Sequence, residues 1–251
     1  MSKQQTKIIG KNLTVGYGDN ILLRDIDFEI HKGDIFIIMG GSGCGKSSLM
    51  RVMTGLKEPS FGQILIDNID FYSSNEETRK QIMQKCGILY QSSALFSSMT
   101  LGENIALPLQ QYTDYSQKTI SELVSYKLAL VGLKGYEDFY PAEISGGMKK
   151  RAGLARAMAL DPEILYFDEP SAGLDPVSST LLDNLILEIN QSLGTTIVVI
   201  THELRSIFAI GNNSVFLDTA IKGISARGDP KKLLKNPPNP NVLHFLTGGR
   251  N

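Results

Sequence analysis

Residues 40–47 read Gly40-Gly41-Ser42-Gly43-Cys44-Gly45-Lys46-Ser47, and the five residues before them, Ile35-Phe36-Ile37-Ile38-Met39, are all apolar. The octet fits the pattern G-x-x-x-x-G-K-[ST], which serves as a phosphate cradle. Its glycines let backbone N–H groups converge on phosphate oxygens without Cβ atoms in the way, while Lys46 supplies a point charge and Ser47 a hydroxyl for Mg²⁺. The apolar run, bounded upstream by the turn His31-Lys32-Gly33-Asp34, suits a strand buried on both faces. Downstream, Leu49, Val52, Met53 and Leu56 recur at i, i+3, i+4 and i+7, which predicts a helix whose N-terminus points at the phosphates. Strand, loop and helix together predict an α/β nucleotide-binding core.

The chain has 251 residues, of which 42% are hydrophobic and 20% charged, with a formal net charge of -1. That length allows one to two domains and a sizeable core. Near-neutral charge leaves no broad electrostatic footprint for nucleic acid or for an anionic membrane surface. Met1 to Gly10 holds no apolar core followed by a cleavage site, and no later apolar run approaches the ~20 residues that span a bilayer, so a soluble, unexported chain is expected. Cys44 and Cys86 are too few for a disulfide framework and lack metal-ligand spacing, which points to a reducing cytosol. Cys44 reads as a small loop residue.

Outward from the loop, Ile8 to Val15 predicts a first strand and Gly16 to Asn20 a turn. Asp25-Ile26-Asp27-Phe28-Glu29-Ile30 alternates strictly, the period of a strand with one buried face, so an antiparallel sheet is expected near the N-terminus. Tyr17 at its tip either closes a turn or stacks on a purine base. Gln63 to Ile69 predicts a strand, Asn75 to Gln84 permits a helix, and Cys86 to Tyr90 predicts a buried strand ending at Gln91. From Ser92 the character changes, and Leu123, Leu128, Leu130, Val131 and Leu133 belong to an expected helical insertion. Ser145, Gly146 and Gly147 then open a helix with Met148, Ala152, Ala155 and Ala159 on one stripe. That helix start is a second anion-binding terminus or an ordinary serine cap, with Lys149, Lys150 and Arg151 expected to add positive charge nearby.

Ile164 to Phe167 predicts a third buried strand, ending in Asp168-Glu169-Pro170. Two carboxylates at a strand's C-terminal edge suit a metal site plus a base: Asp168 holding Mg²⁺ through water, Glu169 orienting and deprotonating the attacking water. A helix with Leu181, Leu182, Leu185, Ile186 and Ile189 on one side follows, and a fourth buried strand, Thr196 to Thr201, delivers His202 to the same edge as a γ-phosphate contact. Ser214 to Asp218 reads as the last core strand, before a turn-rich tail with an apolar helix candidate around Val242 to Leu246.

The ordered set Tyr17, Gly40 to Ser47, Gln91, Ile144 to Gly147, Ile164 to Glu169, Ser171 to Asp175 and His202 resembles the ATPase subunit of ATP-binding cassette (ABC) transporters over essentially the whole chain. The resemblance implies a single 1–251 cassette with a P-loop NTPase core. Residues 1–91 and 161–251 would form that core with an antiparallel β-subdomain, and 92–160 an inserted α-helical subdomain. It also implies ATP and Mg²⁺ as cofactors and a head-to-tail homodimer in which Ser145, Gly146 and Gly147 of one copy close on the γ-phosphate at Lys46 of the other. Tyr17 would stack on adenine, Gly40 to Ser48 hold the phosphates, Ser47, Gln91 and Asp168 ligate Mg²⁺, and Lys46, Glu169 and His202 act in hydrolysis. Ile144 and Met148 depart from the common Leu-Ser-Gly-Gly-Gln signature, and Met148 is similar to the subgroup that powers MCE-linked phospholipid transport, the Mla-type (MlaF-like) ATPases. Partners implied are an integral membrane permease, an MCE-domain protein and a STAS-domain subunit, with the chain peripheral on the inner face of the cell membrane. ATPases for other cargo, and relatives serving cell division or iron–sulfur cluster assembly, are the competing readings.

Overall fold

The computed structural model describes residues 5–249. The two ends of the 1–251 unit, and the first part of Met1–Gly10, lie outside the described residues. In chain order the first elements are β1 (Thr6–Tyr17), β2 (Asn20–His31), β3 (Ile35–Gly40), α1 (Lys46–Met53), β4 (Phe61–Ile66), β5 (Ile69–Asp70), α2 (Glu76–Gln84) and β6 (Cys86–Leu89). Then come α3 (Leu101–Tyr112), α4 (Gln117–Leu130), α5 (Gly146–Ala157), β7 (Ile164–Asp168), α6 (Pro176–Leu193) and β8 (Thr196–Ile200). The chain continues through α7 (Leu204–Ile210), β9 (Asn213–Asp218), β10 (Gly223–Arg227), α8 (Pro230–Lys235) and α9 (Pro240–Leu246).

Two sheets result. An antiparallel one has the order β2-β1-β4-β5, and a larger one the order β10-β9-β3-β8-β7-β6, parallel except where β10 runs against β9. The continuous apolar runs are explained by burial on both faces. Phe36, Ile38, Tyr166, Val198 and Ile200 pack with α1 and the antiparallel sheet, whereas Ile37, Met39, Leu165, Phe167, Ile197 and Val199 pack with the helices of the opposite layer. Burying each such side chain contributes roughly 1.5–3 kcal/mol. Leu101, Ile105, Ile120 and Leu128 of α3 and α4 join that second cluster, so the helical segment shares its core with the sheet.

Several elements differ from the sequence expectation. β1 and β2 run through the expected turn at Gly16 to Asn20, because Gly18, at φ 55, closes the hairpin within two residues. The strand expected from Gln63 to Ile69 is broken into β4 and β5 where Asp67 and Asn68 both take positive φ, 51 and 65, the backbone of a tight hairpin turn. β6 lies at the sheet edge and alternates in burial rather than being covered throughout. β10 follows the supposed last strand; only Gly223 and Ala226 of it are buried, which hides it from a reading based on apolar runs. Leu56 falls beyond α1, where Gly55 at φ 73 has already turned the chain, and is 61% exposed. Leu181 is 53% exposed, on the outer side of α6 from the buried Leu182, Leu185, Ile186 and Ile189.

Candidate active site

β3, β8 and β7 lie side by side and end level, with Ile38 paired to Ile200 and Ile200 to Asp168. The loop after β3, the residues after β7 and His202 after β8 therefore meet at one sheet edge, where ligands of parallel α/β sheets bind. They surround a cleft of about 760 Å³ lined by Gly40 to Gly43, Lys46, Ser47, Gln91, Asp168, Glu169 and His202.

The loop geometry follows from its glycines. Gly40, at φ 148, has no room for a side chain, since a Cβ there would lie 2.4 Å from the Leu217 carbonyl oxygen. A Cβ on Gly41 or Gly43 would meet nothing, which leaves an open cradle. α1 starts after Gly45 with no side chain capping it, so the first-turn N–H groups and the positive helix end remain for an anion. The Lys46 ammonium donates to the carbonyls of Gly40 and Gly41, both at 2.9 Å. Ser47, Gln91 and Asp168 offer the hard oxygen donors that suit Mg²⁺. Among the described residues no cluster of three or more His, Cys, Asp or Glu forms.

Asp168 is half-buried, and burial followed by the charge of Glu169 raises its pKa, with Arg51, Lys150 and Lys46 opposing. Glu169 stands in left-handed backbone at φ 47, its N–H donating to the Ile200 carbonyl at 2.9 Å. Such a conformation costs about 1–3 kcal/mol and persists only where neighbours hold it. His202 Nδ1 lies 2.8 Å from Glu169 Oε1; since a carboxylate only accepts, Nδ1 carries the hydrogen. The second oxygen, Oε2, is buried and has no hydrogen-bond partner among the described residues. The Glu169 carboxylate is thus fixed through Oε1 beside Asp168 at the cleft, where a carboxylate can serve as a general base.

The remaining sequence candidates lie outside this cleft lining. Tyr17 is 46% exposed at the hairpin tip. Its hydroxyl accepts a hydrogen bond from Arg51 at 3.1 Å, and the Lys57 ammonium sits 4.3 Å from the ring centroid. Hydrogen bonds from Ser48 and then Arg51 lower its pKa; Ser48 follows Ser47 on the first turn of α1. Cys44 and Gly45 are buried in the loop, and burial raises the Cys44 thiol pKa. Ser145 caps α5, its hydroxyl accepting from Met148 N–H at 3.3 Å, and Ser145 and Gly146 are exposed and do not line the cleft that contains this copy's Lys46. Of the expected basic cluster, Lys150 is buried and bonded to main-chain carbonyls, and Arg151 donates to the Val131 and Gly132 carbonyls at the end of α4. Both side chains are thus engaged with main-chain carbonyls of other segments rather than left free at the helix start.

Leu204, His244, Phe245, Gly248 and Gly249 also line the cleft; the expected helix around Val242 to Leu246 includes His244 and Phe245, but nothing in its pattern placed it at the phosphates. Phe245 packs edge-on against Phe216 at 5.2 Å, and Asn241 donates to Asp218 at 3.0 Å, which anchors α9 on β9 beside the phosphate loop.

Residues 23–172 match the family described as ABC transporter. The chain is 40% identical over 240 residues to "Probable ribonucleotide transport ATP-binding protein mkl" of Mycobacterium leprae, covering 96% of this chain and 68% of that protein. It is 35% identical over 244 residues to "Intermembrane phospholipid transport system ATP-binding protein MlaF" of Haemophilus influenzae, covering 97% and 91%. With the protein of that name from Escherichia coli the identity is 37% over 231 residues, covering 92% and 85%. Among solved structures, the dimeric post-hydrolysis state of the ATP-binding cassette MJ0796 bound to ADP and Pi superposes with a TM-score of 0.80 at 27% identity, covering 88% of this chain and 98% of that one. The cleft, the strand order and these likenesses agree: the chain belongs to the ABC transporter family, as one of its ATP-hydrolysing cassettes.

Proposed function

We propose that the chain powers the movement of phospholipid or another lipid between bacterial membranes, as a head-to-tail homodimer on the inner face of the cell membrane beneath an integral permease. Its similarity to two MlaF proteins across 91% and 85% of their lengths carries this reading. Gln91 marks the hinge, with 92–160 as the lobe that moves against 1–91 and 161–251. A groove of about 500 Å³ beside that hinge, lined by Tyr90, Phe96, Pro108, Tyr112 and Arg156 among others, offers apolar and cationic surface for the permease. An MCE-domain protein and a STAS-domain subunit complete the proposed assembly.

In the proposed cycle Tyr17 stacks on adenine and the loop N–H groups with Lys46 bind the β- and γ-phosphates. Ser47, Gln91 and Asp168 would hold Mg²⁺, which when bound would supply charge neutralisation at the phosphates. The Glu169 carboxylate takes the proton of the attacking water, while His202, fixed through Nδ1, presents its other edge to the γ-phosphate. Ser145 and Gly147 of the second copy close the site, and hydrolysis releases them. Catalysis is thus mainly positioning and charge stabilisation.

The mycobacterial relatives favour a second cargo, ribonucleotides, through the name they carry. Purifying the tagged chain from its native membrane separates the readings. A permease and an MCE-domain protein in the complex, with ATP-driven phospholipid transfer between vesicles, are expected. A periplasmic solute-binding protein, or ribonucleotide uptake in place of lipid transfer, would overturn the lipid reading.

A further inference from the structure

Lys150 sits on the first turns of α5, where a lysine ordinarily reaches water, yet it is 5% exposed. Its ammonium donates to two main-chain carbonyls, Gln91 O at 2.5 Å and Glu169 O at 3.3 Å. Among the described residues no carboxylate lies within ion-pair distance of it; Asp168, Glu169 and Glu203 act on it only through space. Taking an ammonium out of water costs several kcal/mol, offset only where its hydrogen bonds are well made.

Both carbonyls belong to residues whose side chains line the phosphate cleft. The Glu169 carbonyl also accepts from Ala172 N–H at 3.1 Å, so Lys150 is one of the groups that hold the left-handed peptide in place. Farther along α5 the same segment is gripped again. Gly153 packs so closely on Ser93 that a Cβ would lie 3.1 Å from its carbonyl oxygen, and Arg156 donates to that carbonyl at 3.2 Å and lies 5.7 Å from the Phe96 ring centroid. Ser93 and Ala94 are themselves in positive φ, 64 and 49, a conformation that requires support.

We propose that Lys150 is a positioning residue for ATP hydrolysis, setting the main chain at Gln91 and at Glu169 together and tying both to the helix that begins at Ser145. The inference rests on the proposed roles of Gln91 and Glu169. A shift of α5 then moves the metal-side amide and the carboxylate as one unit, so the helix start that meets a second copy's phosphate is coupled to its own copy's reaction site.

The test uses the full chain with Lys150→Met, Lys150→Arg and Glu169→Gln, reading kcat, KM, the Kd of a fluorescent ATP analogue and Tm. Misplacement of reacting groups by about an ångström costs up to ~100-fold in rate. Lys150→Met is expected to lower kcat by roughly 10–100-fold with Kd within about twofold, and Lys150→Arg, which can donate to both carbonyls, to restore most of it. Unchanged kcat in Lys150→Met alongside an inactive Glu169→Gln would overturn the proposal and leave the site reading standing. Normal turnover in Glu169→Gln would overturn both. Parallel losses of kcat, Kd and Tm that arginine does not repair would reduce Lys150 to a structural role and overturn it as well. Should Lys150→Met fail to fold, Lys150→Gln, which keeps a shorter donor, must show the same split between kcat and Kd.

Discussion

The two oxygens of Glu169 are unequally placed: Oε1 faces His202 Nδ1 at 2.8 Å, and Oε2 is buried with no hydrogen-bond partner among the described residues. Replacing the carboxylate by an amide keeps the shape and removes the base. Glu169→Gln is therefore expected to bind ATP as the wild type does while turnover falls by about 10²–10⁴-fold, measured by phosphate release beside equilibrium binding. Brisk turnover in that variant removes Glu169 from its role. At Tyr17 the Lys57 ammonium takes one ring face, so a base must use the other. Tyr17→Ala is expected to weaken ATP binding by about 1–3 kcal/mol, read by titration calorimetry; unchanged affinity would return the ring to closing the hairpin. Both residues stood out in the sequence, Glu169 by its strand-end pair with Asp168 and Tyr17 by its place at a turn. The hydrogen-bond state of each oxygen did not, because it depends on β8 delivering His202.

α5 crosses the edge strand β6 at two glycines. A Cβ on Gly87 would lie 2.1 Å from the Ala157 carbonyl oxygen, and one on Gly153 would lie 2.9 Å from Leu89. The obstacle at Gly87 is backbone rather than a flexible side chain, so Gly87→Ala must push the helix off the strand. We expect it to destabilise the protein by about 1–3 kcal/mol, seen as a lower denaturation midpoint in urea; an unchanged midpoint would mean that α5 can slide at no cost. The helices that carry a cap, such as α3 with its reciprocal Thr100 and Glu103 pair, begin where local chemistry places them. β10 and the packing of α9 obey no such local rule: one is short and only partly buried, and the other finds its place through Phe216 and Asp218.

Across the whole molecule, Lys7 clamps the two sheets. From β1 it reaches Asp67 in the β4–β5 turn at 2.8 Å and Glu163, just ahead of β7, at 2.5 Å. Losing one member of a fully buried pair costs about 3–5 kcal/mol, but these carboxylates are 33% and 48% exposed, so Lys7→Met is expected to cost about 1–2 kcal/mol near pH 7. Hydrogen bonding to Lys7 lowers the pKa of Glu163 below its ordinary 4.5. Its contribution is therefore present above 4.5 and lost as pH falls through the lowered value. The Lys7 pKa is raised above 10.5 by its two carboxylate partners, against the opposing effect of burial, so that contribution is present below 10.5 and lost above the raised value. The Tm difference between wild type and Lys7→Met should be full between these limits and shrink in acid; a constant difference from pH 3 to 7 would refute the clamp.

A second whole-molecule expectation concerns two copies. Ser145→Arg should block hydrolysis with nucleotide binding intact. A mixed dimer carrying Ser145→Arg and Lys46→Ala should behave differently when the two changes fall in one copy or in two. Equal activity in both arrangements would exclude a site shared across copies.

The glycine loop, the unbroken apolar runs of β3, β7 and β8, the alternating β2 and the serine at the start of α5 were legible in the residues alone, because each is marked within a few positions: backbone freedom, an uninterrupted apolar run, a burial period of two, a side chain bonding its own helix end. The destination of Lys150, the return strand β10 and the arrival of α9 beside the phosphates were not. They depend on which distant segments become neighbours, and a long, flexible lysine takes its direction from the carbonyls it meets only after the core has formed.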